Sequence, residues 1–285
     1  MTKLKAFTGQ HPVLAYYVLT FAISWGGLLL AIGGPGGIPG TPEEFERLFP
    51  FAILAMLAGP SVTGILLTGL VYGRTGLREL RSRALRWRMD ARWYAAALLT
   101  APLAMMVIPL ALSILFPEFL PGIITTDDKT SLLLLSIAAG LAAGIFEEIG
   151  WTGFAIPRLR LRYGLLTTGL IVGTLWGVWH FLVNFWSSGT SSGELSLTLL
   201  LHSGLFSVGI LPAYRMLMVQ VYDRTGSLFL AMLMHMSLTT GNILFVPLAT
   251  EVCGVTWTLV VAATLWVIVA AVAVASRGYR AATAQ

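Results

Sequence analysis

The chain has 285 residues, of which 56% are hydrophobic and only 11% are charged, and its mean hydropathy is +0.81. Because soluble domains carry about a quarter charged residues, this composition excludes a soluble protein and indicates a membrane protein. The net charge of +5 comes from basic residues between apolar segments, which indicates membrane orientation and anionic lipid rather than nucleic acid.

Eight apolar segments of roughly twenty residues are each long enough to cross a bilayer as a helix. The sixth is the weakest, because it is short and contains His202 with several Gly and Ser. The sequence predicts an all-α, polytopic bundle that forms one integral-membrane domain over residues 1–285. In chain order the predicted spans are 12–33, 51–72, 93–116, 131–157, 165–186, 196–214, 227–249 and 255–275.

The charges of the connecting loops alternate in step with these eight spans. Eight of the 13 acidic residues fall on the side opposite most of the basic ones. The positive-inside rule therefore predicts cytoplasmic N- and C-termini, and arginine's excess over lysine favours a prokaryotic cell membrane. Sixteen of the 18 basic residues fall inside: Lys3, Lys5, the seven arginines from Arg74 to Arg92, Arg158, Arg160, Arg162, Arg215, Arg224, Arg277 and Arg280.

The longest inner loop, residues 73–93, interleaves arginines with Leu77, Leu80 and Trp87. This pattern predicts an amphipathic interfacial helix that serves as an anchored connector. The outer loop 117–130 contains Pro and Gly and is predicted to be irregular. No inverted pair of broken helices is found in the sequence, which argues against a proton-coupled transporter.

Ionisable residues within the spans are functional candidates, because each costs roughly 2.5–3.5 kcal/mol on insertion. Glu147 and Glu148 are adjacent in the fourth span, His180 lies in the fifth and His235 in the seventh. At about 1.5 Å per residue, Glu147, His180 and His235 share a layer about 10 Å deep. His202 lies near the outer end of its span and is interpreted as a helix contact.

A glycine pair precedes each of two candidates at the same spacing. Gly140 and Gly144 precede Glu147, and Gly173 and Gly177 precede His180, in both cases with the second glycine three residues before the candidate. Such pairs permit close helix approach. We therefore expect Glu147 and His180 to lie on a contact between the fourth and fifth helices.

A carboxylate and two histidines in a sheltered layer suit the activation of water. The carboxylate can take a proton from water, and the histidines can position that water or donate to a developing oxyanion. A zinc ion held by Glu147, His180 and His235 is an open alternative. Since two adjacent ionised carboxylates repel each other, one of the pair needs a proton or a dedicated partner.

Three motifs resemble those of the CPBP intramembrane proteases, which include type II CAAX prenyl endopeptidases and bacteriocin-processing and immunity relatives. The stretch "EEIGWTGFAIPRL" resembles the signature EExxxR, and "LWGVWH", ending at His180, resembles FxxxH. The stretch "RTGSLFLAMLMHMSLTTGN" resembles a third motif, a histidine followed four residues later by asparagine. The resemblance covers roughly residues 130–245, which would form the catalytic core.

The resemblance implies a membrane endopeptidase that cleaves a membrane-associated peptide or protein. It implies that Glu147 is the general base, that His180 helps to activate the water, and that His235 donates to the oxyanion. Glu148 would be a supporting acid. Whether the substrate is prenylated and whether a divalent metal such as zinc takes part are left open.

Three residues depart from the family motifs. Thr152 stands at the arginine position, Trp176 replaces phenylalanine, and Thr239 stands at the asparagine position. Asn184 and Asn242 are candidate substitutes for the missing amide. These departures keep open a second function, a catalytically degenerate scaffold that binds a membrane peptide or confers immunity.

Overall fold

The computed structural model describes residues 8–283, and the side chains of residues 8–275. In this part of the chain the structure is all-α, with eight helices long and apolar enough to cross a membrane. We number them α1 to α8 in chain order. They are α1 (Pro12–Ala31), α2 (Pro42–Ala84), α3 (Ala91–Ser113), α4 (Lys129–Leu159), α5 (Leu165–Trp186), α6 (Leu197–Thr225), α7 (Leu228–Phe245) and α8 (Glu251–Thr283).

The predicted fold class and the eight spans are confirmed, and the helix ends differ where capping decides them. Helix α2 begins earlier than predicted because Thr41 and Glu44 form a reciprocal capping box. It continues to Ala84 through a break at Gly73, whose φ of 63° and ψ of −154° favour glycine. Lys3 and Lys5 lie outside the described residues, as do the side chains of Arg277 and Arg280. The cytoplasmic location of the termini stays a prediction.

The inner-loop segment after Gly73 is helical to Ala84, as predicted. Arg83 Nη1 donates to the Tyr222 hydroxyl at 2.7 Å, and its Nη2 donates to the Gly153 carbonyl at 3.1 Å. Ser227 Oγ donates to the Arg86 carbonyl at 2.6 Å. The segment is thus hydrogen-bonded to α4, α6 and the start of α7.

Helix α6 extends eleven residues beyond the predicted span end, from residue 214 to Thr225. No glycine interrupts the helix there until Gly226, which adopts the left-handed conformation that commonly ends helices. The prediction that Arg215 lies in an inner loop is therefore wrong. Its side chain is completely buried inside the bundle.

The two glycine pairs contact different helices, so the expected contact between them is wrong. A methyl group on Gly140 or Gly144 would meet the backbone of α7 at Met232 or Met236. The second pair faces α6 instead, with Gly173 against Pro212 and Gly177 against Ser207. The small residues bring α7 close to α4 and α6 close to α5. The candidate groups therefore meet through four helices rather than two.

We expect Gly144→Ala to destabilise the fold, because the added methyl would overlap the Met232 carbonyl oxygen of α7. Overpacking of this kind costs about 1–3 kcal/mol. The matched control is Gly26→Ala in α1, where nothing lies within 4 Å of the added carbon. Thermal unfolding in detergent, followed by tryptophan fluorescence, should give a lower Tm for Gly144→Ala alone. Equal Tm values for the two variants would contradict the close α4–α7 contact.

Candidate active site

The centre of the site is the completely buried carboxylate of Glu148 on α4. Arg215 on α6 places Nη1 at 2.9 Å from Glu148 Oε1 and 2.8 Å from Oε2, and both side chains are fully excluded from solvent. The guanidinium also lies over the face of Trp176 on α5, with its carbon 4.0 Å from the ring centroid. Glu148 thus has the dedicated cation that two adjacent carboxylates require.

Glu148 has two further hydrogen-bond partners. The Thr152 hydroxyl, one turn later on α4, donates to Oε2. His235 on α7 brings Nδ1 to 2.7 Å from Oε1. Because an ionised carboxylate can only accept, Nδ1 of His235 is the protonated nitrogen of this contact. Glu148 therefore determines the orientation of the His235 ring, and Nε2 points to the other glutamate.

Glu147 is held from one side. The indole N–H groups of Trp176 and Trp151 donate to its Oε2 at 2.8 Å and 3.2 Å, and His235 Nε2 lies 3.9 Å from the same oxygen. Glu147 Oε1 accepts no hydrogen bond from any residue in the described part of the chain. One carboxylate oxygen is thus anchored, while the other remains available to a water molecule or a substrate.

His180 lies on α5 one turn after Trp176. Its Nδ1 is 2.9 Å from the Trp176 carbonyl oxygen. Since a carbonyl only accepts, Nδ1 must donate, and Nε2 of the neutral ring then carries a lone pair. The ring also packs edge-on against Trp179, with centroids 4.8 Å apart. The backbone of α5 therefore selects the tautomer of His180.

A π-helical turn over Trp151–Ala155 follows the two glutamates. Arginine side chains bind two carbonyl groups of this turn. Arg83 donates to the Gly153 carbonyl, and Arg158 donates to the Phe154 carbonyl. Such turns are frequent at functional sites. Trp151 and Thr152, the first two residues of the turn, each lie four residues after the glutamate that they contact.

A cavity of about 440 Å³ adjoins Glu147. Its lining contributes Glu147, His180 and His235, and is otherwise mostly aliphatic and aromatic. Along α4 the lining extends from Glu147 to Leu135, twelve residues or about 18 Å towards the start of the helix. Leu135 and Leu54 are 61% and 67% exposed, so the far end of the cavity faces the molecule's surface. In a membrane protein that surface faces lipid.

The structure brings some of the sequence-predicted residues to the cavity and leaves others elsewhere. Thr239 and Asn242 line it with His235, and Asn242 Oδ1 is buried without a hydrogen-bond partner in the described residues. Asn184 is absent from the lining, because its amide donates to the Ser203 carbonyl and the Ser207 hydroxyl. His202 packs against Gly254 of α8, away from the site.

The sequence prediction missed the contributions of Arg215 and Trp176. The end of the apolar run predicts a loop at Arg215, although the sequence between Pro212 and Gly226 contains no glycine or proline that would end a helix. The motif comparison identifies Trp176 only as an aromatic replacement, whereas its indole N–H makes the shortest donor contact of Glu147. The sequence contains a signal for this role, because tryptophan has an N–H donor and the phenylalanine that it replaces has none.

The candidate residues do not form a metal-ligand set in this structure. Among the described residues no group of three His, Cys, Asp or Glu side chains is arranged to hold a metal ion. Glu148 Oε1 and His235 Nδ1 bind each other, and Glu147 Oε2 accepts the two indole donors. The zinc alternative stays a prediction.

Comparison with known proteins identifies the segment that contains this site. Residues 129–241 match the family model of Type II CAAX prenyl endopeptidase Rce1-like proteins. The CAAX prenyl protease 2 of Methanococcus maripaludis is 30% identical over 111 residues, which is 39% of this chain and 39% of that protein. The match thus spans less than half of the curated relative. Through this segment, which includes Glu147, Glu148, His180 and His235, the chain is similar to the Rce1-like type II CAAX prenyl endopeptidases.

Proposed function

We propose that this protein is a multi-pass membrane endopeptidase that hydrolyses a peptide bond with a water molecule activated by Glu147. The observation that carries the proposal is the asymmetric environment of Glu147. Two indole N–H groups hold Oε2, whereas Oε1 has no partner among the described residues and the side chain lines a cavity. A general base needs such an accessible oxygen on an immobilised side chain.

In this proposal Glu147 Oε1 takes a proton from water while the water oxygen attacks the scissile carbonyl carbon. His180 Nε2 accepts a hydrogen bond from the water's other O–H group and so orients the lone pair of the water oxygen towards the carbonyl carbon. The carbonyl oxygen becomes an oxyanion, which His235 stabilises from Nε2 in its doubly protonated form, balanced by Glu148. Glu147 then passes its proton to the departing amine, the peptide C–N bond breaks, and an acid and an amine result.

The cavity favours an apolar peptide segment as substrate. Its wall is mostly aliphatic and aromatic, and its far end lies among exposed leucines, so a substrate can enter from the lipid. If the termini are cytoplasmic, as the loop charges predict, the cavity extends towards the outer half of the membrane. The partners we propose are therefore the bilayer and a membrane-associated peptide or protein in a prokaryotic cell membrane.

A second candidate function is capture of a membrane peptide without cleavage. The observation that favours it is Thr239, which stands where the family motif has an amide donor and lines the cavity near His235. A hydroxyl reaches less far than an amide and donates only one hydrogen. Weaker oxyanion stabilisation would leave binding intact while slowing hydrolysis.

We expect the purified protein to cleave members of a membrane-peptide library in detergent or liposomes, and Glu147→Gln to abolish this. Loss of a general base lowers the rate by about 10²–10⁴-fold. His180→Ala should have a similar effect, since the water loses its second acceptor. His202→Ala is the matched control, because that histidine packs against α8 away from the cavity.

Cleavage that persists in Glu147→Gln would contradict the proposed role of Glu147 as the general base. If the wild-type protein binds library peptides but cleaves none, the capture function is correct instead. Folding of each variant is checked by its Tm, so that an inactive variant is not confused with an unfolded one.

We expect Trp176→Phe to lower kcat although it restores the residue typical of the family. The indole donates a charge-assisted hydrogen bond to Glu147, which is worth about 1.5–3 kcal/mol, or roughly 10–100-fold in rate. Phenylalanine retains a ring under Arg215, so the variant should stay folded, with a Tm lower by a few degrees because a buried carboxylate loses one donor. The control is Trp266→Phe on α8, whose indole donates to the Gly209 carbonyl; neither Trp266 nor Gly209 lines the cavity. Unchanged kcat in Trp176→Phe would show that Glu147 needs no indole anchor.

We expect cleavage to survive extensive chelation, because the proposed mechanism uses protein groups alone. The measurement compares kcat/KM before and after dialysis against EDTA, with metal content determined by mass spectrometry. Activity lost on dialysis and regained with zinc, but not with magnesium, would favour the metal alternative with Glu147, His180 and His235 as ligands.

A further inference from the structure

The cation that binds Glu148 is Arg215 of α6. The family motif would instead place an arginine on α4, the helix that carries Glu148. In the motif EExxxR an arginine would stand at residue 152, one turn after Glu148 and on the same helix. Here residue 152 is threonine, and Arg215 of α6 lies against Glu148 instead. Both the Thr152 hydroxyl and Arg215 Nη1 bind the same oxygen, Oε2.

Arg215 does not line the cavity, so any effect on catalysis must pass through Glu148. The guanidinium is held between the face of Trp176 and the Glu148 carboxylate. Glu148 in turn accepts from His235 Nδ1, and His235 Nε2 lies 3.9 Å from Glu147. Without Arg215 the Glu148 carboxylate would be a buried charge with no full counter-charge. It would then be free to protonate or to move, and the His235 ring would lose its orientation.

A second guanidinium beside Glu148 would have to displace atoms already packed there, because Glu148 is completely buried. Arg215 and Thr152 are both completely buried, and Gly173 of α5 lets the Cβ of Arg215 approach within contact distance. An arginine at 152 would have to enter the volume that the Arg215 head group occupies. An arginine at residue 215 therefore requires a small side chain at residue 152.

We propose that Arg215 is a positioning residue for the hydrolytic site and that, together with Thr152, it replaces the arginine of the family motif. The site requires a guanidinium on Glu148, and either helix can supply it. The claim about catalysis rests on the proposed endopeptidase function, whereas the claim about the exchange of charge between α4 and α6 does not.

The test compares the wild type with Arg215→Met, Thr152→Arg and the double variant Thr152→Arg/Arg215→Met. We expect Arg215→Met to lower both the Tm and kcat, the latter by about 100-fold, with KM within about threefold of wild type. Thr152→Arg should also lower the Tm, because two guanidiniums compete for one carboxylate. The double variant should recover most of the Tm and bring kcat to within about tenfold of wild type.

Two further variants keep the test decisive if Arg215→Met does not fold. Arg215→Met/Glu148→Gln removes both partners and should fold better than Arg215→Met alone, while remaining slow. Arg160→Met is the matched control, because Arg160 pairs with Asp223 in a partly exposed pair outside the site. It should change neither kcat nor, by more than a degree or so, the Tm.

A double variant no better than Arg215→Met in Tm overturns the exchange of charge. A double variant that regains the Tm but not kcat overturns the positioning role, since a guanidinium on Glu148 would then be insufficient. If the wild type cleaves nothing, the endopeptidase proposal fails by itself. The Tm values of the four proteins still decide whether Arg215 and Thr152 exchange one charge.

Discussion

The buried contact between Glu148 and Arg215 is the interaction on which the arrangement of the other site residues depends. Two charges without access to solvent are stable only when each compensates the other, and removal of one typically costs about 3–5 kcal/mol. The pair joins α4 to α6, Trp176 joins it to α5, and His235 joins it to α7. A single ion pair thus links the four helices that carry the site.

Helix packing makes this contact possible. Gly144 lets the backbone of α7 approach α4 and so brings His235 within hydrogen-bond distance of Glu148. Gly173 lets α6 approach α5 closely, because it has no side chain where the Cβ of Arg215 packs. The spacing of each glycine pair to Glu147 and His180 therefore has a physical reason, although not the direct contact between α4 and α5 that the sequence suggested. Each pair admits the helix that carries a partner of the glutamates.

The spans and the depth of the candidate residues could be predicted from the sequence. Both depend on the hydropathy of long segments and on the free-energy cost of burying charge in the membrane. The eight spans follow from apolar length, and the shared layer of Glu147, His180 and His235 follows from counting residues from the loops. Arg215 could not be placed in this way, because a hydropathy boundary treats a buried arginine and a loop arginine alike. Which helices pair, and where the π-helical turn forms, depend on contacts between segments that are distant in the sequence. Local sequence patterns do not reveal those contacts.

The departures from the family motifs differ in their consequences. The loss of arginine at residue 152 is compensated, because Arg215 supplies the same charge to the same carboxylate. The change to Trp176 adds a donor to Glu147. The change to Thr239 is not compensated in the same manner, since Asn184 is engaged elsewhere and Asn242 lies two turns, or about 10 Å, beyond His235 along α7. In the proposed mechanism the charges needed to activate water are therefore retained, and oxyanion stabilisation depends on His235, whose ring is oriented by Glu148.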